Sequence, residues 1–155
     1  MEYILGNLYE LLDSFYGYAL RDYLWGFDCD TSDFTAPILF NHAGVITIII
    51  SLIVVVLYYY VLDHPKLANW RGWFLFMLIN LLVTAIFGYF YVKMDLDANL
   101  ICTAFINTES TGVFAVDNSS CFGFAMANGL VSILFYIVWS LSLKWFSKSS
   151  KHVPF

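Results

Sequence analysis

Three long apolar runs divide the chain, and polar residues fall mostly between them. The run from Ala43 to Leu62, AGVITIIISLIVVVLYYYVL, is twenty residues without a charge. At about 1.5 Å per residue, a helix of that length matches a hydrocarbon core about 30 Å thick. Its Val and Ile content alone would suit a buried strand, but strands seldom exceed about ten residues, so length decides for helix. Trp73 to Val92 and Phe122 to Leu143 have the same character. The pattern predicts membrane-spanning helices over 36–62, 73–92 and 122–143.

Residues 1–27 follow a different pattern. Leu5, Leu8, Leu12, Phe15 and Tyr16 recur at helical spacing while Glu2, Glu10, Asp13 and Asp22 interrupt them, which predicts an amphipathic helix. Arg21 is its only basic residue, so docking on protein, including a neighbouring subunit, fits better than attraction to anionic lipid. Gly6, Gly17 and Gly26 are the places where it would break into shorter helices. Residues 94–121 are expected to form a structured outer loop, in which Leu100 to Ile106 suits a short strand or re-entrant turn. Residues 144–155 form a basic tail. The fold class is an all-α membrane protein with three transmembrane helices, an N-terminal amphipathic helix and a structured outer loop, in one membrane domain over 1–155.

Composition sharpens this reading. Hydrophobic residues make up 61% and charged residues 12%, against about a quarter charged in soluble domains. The net charge of −5 excludes nucleic acid as a partner, since phosphate binding needs clustered Lys and Arg. Five of the seven Lys and Arg residues lie in the 63–72 connector (Lys66, Arg71) and the tail (Lys144, Lys148, Lys151), whereas the N-terminal segment has only Arg21, Lys93 sits at the boundary of the second span and the 94–121 loop carries none. The positive-inside rule then orients a multi-pass cell-membrane protein with its N-terminus outside and its C-terminus cytoplasmic.

Asp28, Asp30 and Asp33 come to the outer mouth of the first span with Asn41 and His42. The three carboxylates do not make an EF-hand, because Asp33 stands where the loop needs Gly and Leu39 where it needs Glu. His42 is either a pH-sensitive residue of that mouth or an ordinary interfacial histidine. All three cysteines fall outside the apolar runs. In an oxidising compartment Cys102 and Cys121 are the candidate disulfide, with Cys29 either odd or the true partner of one of them; three unpaired thiols are the plain alternative.

Each span carries a stripe of small or polar residues: Gly44, Thr47 and Ser51 in the first, Asn80, Thr84 and Gly88 in the second, Ala125, Asn128, Gly129 and Ser132 in the third. Inside a membrane such stripes let helices approach and hydrogen-bond across the contact. The sharper reading is a water-filled path, which three helices alone are too few to enclose, so it implies a homo-oligomer. No Asp, Glu, Lys or Arg lies within the spans, which argues against a proton-coupled transporter, a voltage sensor or an intramembrane hydrolase. No GxSxG, Walker or HExxH motif is present, and the chain is not expected to be an enzyme or to hold a metal or cofactor. Two functions remain. One is a self-assembling ion channel or pore-forming membrane effector, for example in signalling or antiviral defence. The other is a non-conducting structural or accessory subunit, bound in the bilayer to a second membrane or soluble protein.

Overall fold

A computed structural model describes residues 2–29, 31–61, 69–106 and 115–143. The expectations for Asp30, most of the 63–72 connector, residues 107–114 of the outer loop and the 144–155 tail lie outside the described residues, and so do Lys66, Lys144, Lys148 and Lys151. The elements are helices α1 (Glu2–Glu10), α2 (Asp13–Tyr16), α3 (Tyr18–Leu24), α4 (Leu39–Val56), α5 (Trp70–Asp97), α6 (Thr103–Ile106) and α7 (Asn118–Leu143). A π-helical turn, Leu57–Val61, continues α4. Three helical stretches, Leu39–Tyr60, Trp70–Asp97 and Asn118–Leu143, are long and apolar enough to cross a membrane.

The helix ends follow local chemistry. Pro37 and the extended Ile38 hold the chain out of helix until Leu39, so α4 starts later than the expected 36. Helix α5 overruns the expected 73–92 at both ends, and a Lys93–Asp97 ion pair of 2.6 Å, one turn apart, supports its last turn. Helix α7 begins at Asn118 because Asp117 Oδ1 accepts the Ser120 backbone N–H at 2.9 Å and caps the first turn. Leu100 to Ile106 is not a strand; four of its residues form α6, and the Val116 N–H donates to the Phe105 carbonyl.

The N-terminal residues form three short helices in place of one. Gly17 separates α2 from α3, whereas Gly6 sits within α1 under the Trp25 ring. Gly26 adopts a φ of +91° and lies so close to the Ala36 carbonyl that a Cβ would collide with it. There the chain turns into a tight hairpin closed by an Asp28–Asp33 bridge.

Helix α7 is the hub. It packs against α5 and α4 along the membrane and against α1 and α2 at its N-terminal end. The most apolar window of α7 is 56% buried, against 39% for α4 and 22% for α5. At Gly123 the backbone of α2 lies directly on α7, where a Cβ would strike the Phe15 carbonyl. Two apolar clusters fill the interior. One joins Tyr9, Tyr16, Phe40 and Phe124 under the N-terminal helices, and the other joins Val55, Tyr59, Trp73 and Tyr136 at the opposite end. The outward faces of α4 and α5 carry Ile46, Ile49, Ile53, Leu78, Leu82 and Ile86, all suited to lipid.

Candidate functional site

The polar stripes converge within one chain. Thr47, Ser51, Asn80, Thr84, Asn128 and Ser132 are all fully buried, Gly88 packs against the Asn128 side chain and Gly129 against the Leu81 carbonyl. Asn128 is the node. Its Oδ1 accepts hydrogen bonds from the Tyr9 hydroxyl of α1 and, at 2.8 Å, from Thr47 Oγ1 of α4. Its Nδ2 donates to the Thr84 carbonyl of α5 at 2.7 Å. One amide therefore ties α7 to three other helices. An unpaired amide in hydrocarbon is costly, so this convergence is what allows Asn128 to sit there.

One turn further along α7, Ser132 makes a second layer. Its hydroxyl accepts from Thr84 Oγ1 at 2.8 Å and donates to the Gly129 carbonyl at 2.7 Å, while its carbonyl accepts Asn80 Nδ2 at 3.2 Å. Two buried atoms near this layer, Asn80 Oδ1 and Ser51 Oγ, have no partner among the described residues. At the far end of α7 lies a clasp around Ser140. Trp73 Nε1 donates to Ser140 Oγ at 2.8 Å, the Tyr59 hydroxyl lies at the same distance, and the Tyr136 hydroxyl donates to the Trp73 carbonyl at 3.2 Å.

The described residues expected at the outer mouth make separate contacts. Asp28 Oδ2 accepts from Thr31 Oγ1 at 3.1 Å and Thr35 Oγ1 at 3.2 Å, and Asp33 Oδ1 accepts the Phe34 N–H at 2.8 Å. These carboxylates hold their own hairpin. His42 is exposed on the first turns of α4, and Asn41 Oδ1 is buried without a partner. Nearby, Arg21 pairs with Asp22 at 2.9 Å and Asp13 at 3.3 Å. The Tyr23 hydroxyl donates to Asp95 Oδ2 at 3.1 Å and so links α3 to the end of α5. Burial, and then the Asp95 charge, push that hydroxyl well above its ordinary pKa, which keeps it a donor at physiological pH.

The disulfide corrects an expectation. Cys102 pairs with Cys29 and not with Cys121, which is a free buried thiol within α7. The reason is placement: Cys121 lies in α7's first turns and points into the apolar cluster, whereas the hairpin carries Cys29 to the segment after α5. Several contact residues escaped the sequence reading, notably Tyr9, Tyr59, Trp73, Tyr136 and Ser140, whereas Tyr16 was placed on the apolar face of the N-terminal segment. Tyr9 and Tyr16 stand seven apart, a helical face repeat that was legible, although the break between α1 and α2 moves the two onto separate helices.

Chemically, the buried network offers neutral donors and acceptors only, and it can hold helices in register. Among the described residues, His, Cys, Asp and Glu nowhere gather in threes as a metal site would require. No protein-family model, curated protein or solved structure matches the chain.

Proposed function

We propose that this protein is a non-conducting subunit of a larger membrane assembly, in which the polar stripes are internal helix contacts and the disulfide-tethered outer segments are the docking surface. The observation that carries the reading is Asn128: both ends of its amide are used by α1, α4 and α5 of the same chain. Stripes occupied in this way leave aliphatic faces for lipid and no polar face for a shared path. The N-terminus lies outside and the C-terminus in the cytoplasm in this reading. The Cys29–Cys102 bond supports that orientation, because disulfides persist in oxidising compartments.

Gentle detergent extraction from native membranes tests the proposal. A second polypeptide recovered in fixed ratio is the expected result, and liposomes holding the purified protein pass no more ions than empty ones. A symmetric homo-oligomer whose ion flux changes with Asn128→Leu would overturn the proposal in favour of a channel. One observation favours that second reading, the pair of unpartnered polar atoms at Ser51 and Asn80. Orientation is tested with an impermeant thiol reagent after mild reduction: Cys29 labels from outside, and labelling from the cytoplasmic side alone would reverse the topology.

A further inference from the structure

The layer below Asn128 contains two polar atoms that the chain does not satisfy. Helices α4 and α7 both lead away from the outer segments, and α5 leads back towards them. Thr47, Thr84 and Asn128 share a layer through their mutual bonds. A step of four residues away from the outer end brings α4 to Ser51, α5 to Asn80 and α7 to Ser132. These three therefore occupy the next layer, and the Asn80–Ser132 bond confirms two of them.

Within this layer Ser132 is complete. Its hydroxyl and carbonyl are engaged by Thr84, Gly129 and Asn80. Asn80 and Ser51 are not, although both residues are fully buried: Asn80 Oδ1 and Ser51 Oγ lack any partner. Turning the amide over gives no relief, because it would set Oδ1 against the Ser132 carbonyl oxygen, two acceptors with no proton between them, and lose the existing bond. The two orphans are complementary, one an acceptor only and the other a hydroxyl that donates and accepts. Yet they are too far apart or too poorly aligned to bond directly.

We propose that one water molecule is buried here, accepting the Ser51 hydroxyl proton and donating to Asn80 Oδ1. Polar interior sites with orphaned groups hold such waters, whereas apolar ones stay dry. The site lies between two protein-bonded layers, the Asn128 layer above it and the Tyr59, Trp73 and Tyr136 clasp below, so the proposal is a single water and not a file. The inference holds for a subunit and for a channel alike.

A structure of the purified protein in nanodiscs, at a resolution that reveals ordered water, tests it. A density peak within hydrogen-bond distance of both Ser51 Oγ and Asn80 Oδ1 is expected. Ser51 Oγ bonded to the Thr47 carbonyl, as Thr47 Oγ1 reaches the Ala43 carbonyl at 2.8 Å, with no peak present, would overturn it. So would a peak whose strength follows replacement of sodium by thallium, which marks a cation. A double-mutant cycle supplies an independent reading. Ser51→Ala should raise the unfolding equilibrium constant about fivefold in the native background and hardly at all beside Asn80→Leu. Equal effects in both backgrounds would overturn the bridge. If Asn80→Leu does not fold, Ser51→Ala alone decides: no change in unfolding together with no density peak rejects the water.

Discussion

The two halves of α7 are fastened by different means. In its N-terminal half, near the middle of the helix, Asn128 uses acceptor and donor together and gathers α1, α4 and α5. Towards its C-terminal end, Ser140 offers one hydroxyl to aromatic groups from two neighbours, Tyr59 and Trp73. The amide node lies far from water and depends wholly on its partners. The serine clasp is built from amphipathic rings of the kind that collect at membrane interfaces. The contrast indicates that the Asn128 end carries specificity, whereas the Ser140 end carries packing with a polar stitch.

Substitutions can break that asymmetry. Asn128→Leu strands the Tyr9 hydroxyl and removes the cross-helix bonds to Thr47 Oγ1, which keeps the Ala43 carbonyl, and to the Thr84 carbonyl, and should cost about 3 kcal/mol in a detergent unfolding titration. Replacing both Cys29 and Cys102 by Ser opens a loop whose ends are 73 residues apart. In water such a closure is worth about 4 kcal/mol by chain entropy; here the inserted spans already restrain the ends, so about 2 kcal/mol is expected. Hydrogen exchange should quicken in α3 and the Asp28–Asp33 hairpin while the Ser140 end keeps its protection. Ser140→Ala removes the hydroxyl that Trp73 Nε1 and the Tyr59 hydroxyl share, for about 1.5 kcal/mol. Tyr9→Phe removes one bond and leaves Thr47 on Asn128, for about 1 kcal/mol. A Ser140→Ala variant less stable than Asn128→Leu would invert the comparison.

Much of the fold was legible in the sequence, because three uncharged runs of membrane length have few alternatives. Helix ends were less so. Lys93, Asp95 and Asp97 ended the predicted second span by their charge, yet a helix continues beyond hydrocarbon once its polar residues are solvated or paired. The stripes were visible as faces, since Thr47, Ser51, Asn80, Thr84, Asn128 and Ser132 obey helical spacing. What they face was not: spacing is the same whether a polar face meets water or three neighbouring helices. The disulfide was hidden for a related reason. Three cysteines between spans allow several pairings, and only the turn at Gly26 and the hairpin beyond it bring Cys29 to Cys102.

The central position of α7 also orders events during synthesis. Chains emerge N-terminus first, so α4 and α5 enter the bilayer before the helix that completes them. Until it arrives, Thr47 and Thr84 lack Asn128 and Asn80 lacks Ser132. Cys29 and Cys102 are both available by then, and their bond can close a ring around two spans whose polar faces still await a partner. The third long helix is then the keystone of a frame that the disulfide can already tie at one end.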